Sequence, residues 1–428
     1  MSSVDLAALR EIRSQVGDLL EKGIIPFWDE RATDQSEGGY LTDFGADGRC
    51  QNTAHDKYLV TQARMVWAFS MFAEHVGSGS LGDRLRDAAR QGVGFLRENF
   101  WDPVHGGWRW STRRDGSPLD SAKIMYGQTF AIYGLSAFSG VTGDEQALAW
   151  AEETFDLFQV AASDLVHGGY VENFSEDWRP EGTVKTLDTH LHLMEAYTAL
   201  ANVSGSHIHR RRLQEVVTLI CTHLVDPVSG AGRNQTAADF TPQPPVPVAR
   251  TWNVERADGQ VAATDTTSYG HNLELIWLLG KAGEVLGSPI APELRAKLGD
   301  HALRYGVDWQ YGGVFREGPH SGTATDQDKE WWEQAEALVG LLDLYELTGD
   351  REALSAFVSV WNFCLQYLID RDTGEWRTRV NRTGMPLDST LGSVWKGPYH
   401  SGRSALETLA RLDRIIETWE STSSTGES

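Results

Sequence analysis

The sequence has little of what would tie it to a membrane, a nucleic acid or an oxidising compartment. It contains no run of about 18 apolar residues, so no segment is long enough to span a bilayer. Basic residues are scarce: 38 Lys and Arg stand against 60 Asp and Glu, a formal charge of −22. A chain this acidic is repelled by a phosphate backbone and by an anionic lipid surface, so neither nucleic acid nor membrane is expected as a partner. The cysteines, Cys50, Cys221 and Cys364, are odd in number and far apart. They read as free thiols rather than a disulfide framework or a zinc site. The first residues mix charge into a helical period and lack the basic and apolar regions of a signal peptide, so the expected location is the cytoplasm. Gly-x-Ser-x-Gly, a phosphate-binding loop and a strand-linked Gly-x-Gly-x-x-Gly are all missing, which leaves serine hydrolase, nucleotide and dinucleotide chemistry unsupported.

Tryptophan, by contrast, is abundant: 16 Trp accompany 12 Tyr and 15 Phe in 428 residues. That is more aromatic surface than a core of this size needs, and it suits flat faces kept for a ligand such as a carbohydrate. With 41% hydrophobic and 23% charged residues the composition is globular.

One motif organises the whole chain. Gly38-Gly39-Tyr40, Gly106-Gly107-Trp108, Gly168-Gly169-Tyr170, Gly230-Ala231-Gly232, Gly312-Gly313-Val314 and Gly374-Glu375-Trp376 recur at near-constant spacing, most of them preceded by Asp. Two helical patterns fit between successive motifs. The apolar periods predict Lys57 to Glu74 with Leu85 to Asn99, Met125 to Phe138 with Glu145 to Ala161, and Thr186 to Ala201 with Arg210 to Leu224. Thr267 to Leu286 with Pro292 to Tyr305, and Glu330 to Tyr345 with Arg351 to Ile369, continue the series. Leu6 to Lys22 and His400 to Thr418 then pair across the ends, giving twelve helices. An open solenoid would need polar caps, which neither end shows, so the six hairpins are expected to close into a ring. The fold class expected is all-α, an (α/α)6 barrel forming one domain over residues 1–428, with short β-turn segments at one end. The longer Gly230 to Asp265 segment, rich in proline, is expected to be a loop over the barrel mouth.

If the first helix of each hairpin lines the barrel, polar residues early in those helices share one mouth. These are Gln62 and Arg64; Tyr126 and Gln128; His190 and His192; His271 and Glu274; Trp331, Trp332 and Glu336; His400 and Arg403. Polar and aromatic groups repeated at the structural period converge on one internal pocket. A metal at His190 and His192 is not expected, because side chains two apart on a helix point about 200° away from each other. His271 and Glu274 lie at i and i+3 on one face, where the carboxylate can orient the imidazole. His400 opens the final helix and is a plausible base.

In order along the chain, Gln62-Ala63-Arg64-x-x-Trp67, Thr189-His190-Leu191-His192-x-x-Glu195, Gly270-His271-x-x-Glu274, Trp331-Trp332-x-Gln334-Ala335-Glu336 and Lys396-Gly397-Pro398-Tyr399-His400-x-x-Arg403 resemble the successive motifs of the N-acylglucosamine 2-epimerase family. That family includes cellobiose and mannose 2-epimerases and mannose isomerases. The resemblance implies the same barrel, no metal and no redox cofactor, and proton transfer at C2 of a reducing-end aldose. By motif it makes His271 and His400 the acid/base pair with Glu274 in support. Arg64 and His192 become ligands of the sugar hydroxyls or the enediolate, and Trp332 and Trp395 stacking residues. Tyr126, Asp188, His190, Trp331, Glu336 and Arg403 complete the expected substrate-binding set. Asp188 stands where cellobiose-acting members often have Asn.

The C2 proton is removable only when C1 is a carbonyl, so the site needs an acid/base for ring opening and a base at C2, roles suited to histidine. Inversion at C2 requires two opposed groups, which His271 and His400 supply from separate parts of the barrel. The expected activity is therefore a 2-epimerase acting on mannose/glucose or a β-1,4-linked disaccharide such as cellobiose. The alternatives are an aldose–ketose isomerase on the same site, a glycoside hydrolase or lyase using carboxylates, and a sugar-binding barrel. The partner expected is a small sugar, and the chain is a monomer or a homodimer.

Overall fold

The computed structural model describes residues 4–51, 55–182, 184–243, 246 and 266–425. The chain opens with α1 (Leu6–Leu19), which runs through a π-helical turn at Leu20–Ile24 into α2 (Ile25–Arg31). Five hairpins follow: α3 (Leu59–Val76) with α4 (Ser80–Phe95), α5 (Met125–Thr142) with α6 (Glu145–Leu157), and α7 (Leu187–Ser204) with α8 (His207–Leu219). The last two are α9 (Tyr269–Leu286) with α10 (Pro292–His301), and α11 (Trp331–Thr348) with α12 (Arg351–Phe363). Finally α13 (Tyr399–Thr425) packs beside α1. The twelve expected helical segments are present, with α1 and α2 forming one of them.

The ring closes. α3, α5, α7, α9, α11 and α13 contact one another in that order, and α13 returns to α3. Around them α4, α6, α8, α10, α12 and α1 each cover one inner helix. The inner helices are buried on nearly every side and correspondingly apolar all round, whereas the outer helices carry one apolar face. This is the (α/α)6 barrel expected. Close approach between α9 and α11 depends on Gly270, where a Cβ would sit 2.7 Å from the Glu333 side chain and 2.8 Å from Trp332.

Helix starts differ slightly from the periodicity. α3 begins at Leu59 and α9 at Tyr269 because Lys57–Tyr58 and Thr266–Ser268 are extended. Each of these short strands pairs antiparallel with the strand after the next hairpin link: Lys57 opposite Thr112, Lys123 opposite Phe174, Lys185 opposite Thr236, Thr267 opposite Gly318, and Lys329 opposite Val380. The segment expected to lie over the mouth falls mostly outside the described residues. Within its described part, residues 230–243 and 246, Gln235–Ala237 belongs to one of these pairs.

A repeated polar clamp holds the Gly-Gly links to the inner helices. The Gln62 side chain accepts from Tyr40 N and donates to Tyr40 O, both at 2.9 Å. Gln128 does the same for Trp108 and Gln334 for Val314. Asn272 accepts from Gly232 N at 2.9 Å, and His190 Nε2 accepts from Tyr170 N at 3.4 Å. Five residues before each clamp, Lys57, Lys123, Lys185 and Lys329 reach the link aspartates Asp34, Asp102, Asp164 and Asp308 at 2.7–3.1 Å. Thr267 stands in the lysine place at the fourth link, and Arg233 meets Asp226 there instead. A residue two beyond a clamp points about 200° away, toward the barrel axis. Those residues are Arg64, Phe130, His192, Glu274 and Glu336; in the sixth repeat Arg403 stands two beyond Ser401, whose hydroxyl donates to Glu375 of the last link at 3.2 Å.

Candidate active site

At the N-terminal ends of the inner helices lies a cavity of about 680 Å3. Of the residues expected to form the site, Arg64, Tyr126, His192, His271, Glu274, Trp331, Trp332, Trp395 and His400 line it together. Asp188, Glu336 and Arg403 lie behind that wall, bonded to residues in it. His190 does not reach the cavity, which corrects its expected place. Its Nε2 holds the Tyr170 link, and its Nδ1 lies 3.0 Å from Thr186 O. The reason is the helical turn itself: His192 faces the axis, so His190 faces outward.

The two candidate acid/base imidazoles flank one indole. His271, in the first turn of α9, has its ring centroid 4.7 Å from Trp332, and His400, at the start of α13, lies 5.8 Å from the same ring. His400 Nδ1 donates to Glu336 Oε1 at 2.7 Å, leaving the Nε2 lone pair free. Burial first, and then the Arg64 and Arg403 guanidinium groups, hold the His400 imidazole well below its ordinary range, so it is neutral. His271 Nε2 is 3.3 Å from Asp188 Oδ1, and the same oxygen lies 3.4 Å from His192 Nε2. Burial acts to raise the Asp188 pKa, but His271 and His192 outweigh it and keep this carboxyl ionised.

His192 is bracketed by carboxylates, with Asp188 on Nε2 and Glu195 3.0 Å from Nδ1. Burial alone would lower its pKa. Glu274, Asp188 and Glu195 together push it up to about 9, which makes it a fixed imidazolium at neutral pH. Arg64 is a second cation facing the cavity. Its Nη2 donates to Tyr126 OH at 2.8 Å and its guanidinium lies 4.1 Å from the Phe130 ring and 4.4 Å from Tyr399. Among the described residues no carboxylate pairs with it, and its buried Nε has no hydrogen-bond partner. A buried cation without a counter-charge is costly, and an anion entering the cavity would find it ready.

The floor is one guanidinium shared by three carboxylates. Arg403 Nη1 donates to Glu195, and Nη2 donates to Glu274 and, at 2.8 Å, to Glu336. Tyr399 donates to Glu195 Oε2 at 2.6 Å. Arg403 and His192 hold Glu195 down to about 2 against the upward push of burial. Glu274, Glu336 and His400 come close enough to resemble a metal-ligand group. Arg403 bonds both carboxylates and His400 Nδ1 bonds Glu336, so these three groups already have partners within the floor.

Sequence reasoning missed Glu195 and Tyr399 in the floor, and Arg316, Glu330, Thr378, Arg379 and Asp388 in the wall. A signal for some of them exists. The fourth residue after the first glycine of a link is Trp110, Arg316 or Thr378 in three of the six repeats. Arg316 and Thr378 line the cavity, while Trp110 packs 5.8 Å from Trp395.

An all-helical ring with paired histidines, buried cations and indole faces around one axial cavity is built for acid–base chemistry on a small polyhydroxylated molecule. The family profile described as N-acylglucosamine 2-epimerase (GlcNAc 2-epimerase) matches residues 39–401, and the chain belongs to that family. It is 30% identical over 417 residues to cellobiose 2-epimerase of Bacteroides fragilis, covering 93% of this chain and 98% of that one. The solved structure of cellobiose 2-epimerase from Spirochaeta thermophila superposes with a TM-score of 0.84 at 31% identity, covering 95% of this chain and 98% of the other. D-mannose isomerase of Marinomonas mediterranea is 24% identical over 388 residues, covering 88% and 92%. The protein is an isomerase, a carbohydrate 2-epimerase. No helix among the described residues is long and apolar enough to cross a membrane.

Proposed function

We propose that this enzyme inverts C2 of a reducing-end aldose, either mannose/glucose or a β-1,4-linked disaccharide such as cellobiose, with His271 and His400 exchanging the proton. The observation that carries this reading is the placing of both imidazoles against Trp332, from helices on different sides of the cavity. The open-chain sugar lies on the Trp332 face with C1 and C2 toward Arg64 and His192. Neutral His400 removes the C2 proton on Nε2, and the electron pair moves onto the C1 oxygen to give a cis-enediolate. Arg64 stabilises that anion with a donor already in position, and the His192 imidazolium, its two N–H groups held by Asp188 and Glu195, adds positive charge beside it. His271, oriented by Asp188, then delivers a proton to the opposite face of C2, and the two roles exchange in the reverse direction. Trp331 and Trp395 hold the ring, while Glu274, Glu336 and Arg403 fix the histidines from behind.

A cavity of about 680 Å3 sits well inside the range of about 300–1,000 Å3 usual for small-ligand sites and admits either substrate class. Likeness to cellobiose 2-epimerases along the whole chain supports the disaccharide, and Asp188 favours the monosaccharide. The second reading is aldose–ketose isomerisation, favoured by the likeness to a D-mannose isomerase. The chain works as one catalytic domain over residues 1–428, as a monomer or homodimer in the cytoplasm, without metal or cofactor.

The test is NMR of mannose and of cellobiose incubated with the enzyme in D2O without added metal. Deuterium at C2 of the epimerised sugar is the expected result. Fructose would turn the reading to isomerase, release of a smaller sugar to hydrolase, and no exchange in either sugar would overturn it.

A further inference from the structure

The barrel has a second axial cavity, of about 470 Å3, at the C-terminal ends of the inner helices. It backs onto the floor of the first, because Glu195 and Arg403 belong to its lining as well. Two polar atoms there are buried with no hydrogen-bond partner among the described residues. They are Ser136 Oγ, in a residue with no exposure, and Arg403 Nε, in one 2% exposed. Buried polar atoms are nearly always satisfied, so these two point to a polar ligand or bound water. The walls are aromatic: Trp67 stacks on Tyr133 at 5.6 Å, and Trp277 lies 4.8 Å from the Arg403 guanidinium.

The charges choose between ligand classes. Lys281 lies 3.2 Å from Glu407 and 3.8 Å from Glu284, and Glu407 also holds Arg411, so most of the rim charge is paired, with Glu74 adding a carboxylate at the exposed edge. An anion would meet Glu195 and Glu407, and a cation would meet Arg403 and Lys281. A neutral molecule carrying both donors and acceptors, with apolar C–H faces for the indoles, meets neither conflict. We propose that this rear cavity is a second binding site for a neutral saccharide of about hexose size. Its hydroxyls accept from Arg403 Nε and bond to Ser136. Because Arg403 and Glu195 also set the charge and place of His192 and His400, occupancy at the rear is felt at the front, and reciprocally.

The probe is methyl β-D-glucopyranoside, which has no free C1 and cannot be turned over. Bound glycoside per chain is counted by NMR titration for wild type, Ala199→Trp and Ser136→Ala, with circular dichroism confirming the fold. Ala199 lines the rear cavity and is not among the residues that line the front one, so tryptophan there fills the rear site. Ala199→Trp is expected to bind one glycoside fewer than wild type, and Ser136→Ala to bind the rear glycoside about tenfold more weakly. Equal stoichiometry in wild type and Ala199→Trp, or unchanged affinity in Ser136→Ala, overturns the proposal. Its failure is separable from that of the front-site reading, because the count compares variants and does not depend on turnover.

Discussion

Replacing Arg64 by methionine separates a catalytic role from a structural one. The guanidinium is 4% exposed and lies between the rings of Phe130 and Tyr399. Among the described residues its one polar bond is to Tyr126 OH, and no carboxylate pairs with it. Methionine keeps the apolar stem and removes the cation. Exchanging an unpaired buried charge for an apolar group of similar volume is neutral or stabilising, here by about 1–2 kcal/mol. Turnover moves the other way. Loss of a preorganised donor to a developing oxyanion costs about 100- to 1,000-fold in kcat, or about 3–4 kcal/mol. The variant has a pH signature too, because Arg64 is the largest charge holding His400 neutral. Without it the imidazole protonates at higher pH, and the acid limb of kcat/KM moves upward. Steady-state kinetics across pH and thermal unfolding of the same preparation read all three quantities. A variant that loses stability and keeps wild-type kcat would refute the assignment.

Other perturbations follow from the same geometry. His271→Ala and His400→Ala are each expected to lose about 100- to 10,000-fold in turnover with an unchanged circular dichroism spectrum, and a wild-type rate in either removes that residue from the mechanism. Glu336→Gln weakens the 2.7 Å bond that fixes the His400 tautomer, so kcat falls about 10- to 100-fold while KM changes little; an equal change in KM would speak for a binding role. His192 is raised to about 9 in the folded state from an ordinary 6.5, so its contribution to stability is complete below pH 6.5 and is lost as pH rises through 9. Urea unfolding at several pH values should show that decline in wild type and a flatter profile in His192→Gln. Lys57→Ala leaves buried Asp34 with Arg114 as its one remaining cation among the described residues, and unfolding is expected to come about 3 kcal/mol more easily.

Much of this architecture was open to sequence reasoning because the fold is periodic and each period is marked by a link that needs glycine. Gly38, Gly39, Gly106, Gly107, Gly168 and Gly169 all have positive φ, so the motif is a backbone requirement and recurs wherever the hairpin does. The candidate site was found for the same reason, since Arg64, His192, Glu274, Glu336 and Arg403 occupy one helical position in five of the six repeats, with Phe130 in the second. His190 shows where periodicity needs a second rule. It shares the clamp position with Gln62, Gln128, Asn272 and Gln334, and comparing those five would have turned it outward. Glu195 and Tyr399 stand in the quoted motifs but had no role there, because their importance comes from sharing Arg403, a contact across 208 positions for Glu195. Arg379 and Asp388 lie on links, where no helical period fixes a side chain's direction.

Ring closure also governs when the enzyme can first work during its synthesis. Thr61 on α3 bonds to Val394, 333 positions later, just before α13. The site takes Arg64 from one side of that seam and His400 with Arg403 from the other. A nascent chain can stack its early hairpins as they emerge, but the floor carboxylates Glu195, Glu274 and Glu336 stay without their shared guanidinium until α13 arrives. The assembly step with the greatest sequence separation is therefore the one that completes the chemistry, and such long-range steps are slow. Activity should appear during refolding only with the last cooperative phase, and partly folded forms should carry a buried excess of negative charge that draws them open rather than leaving them as idle barrels.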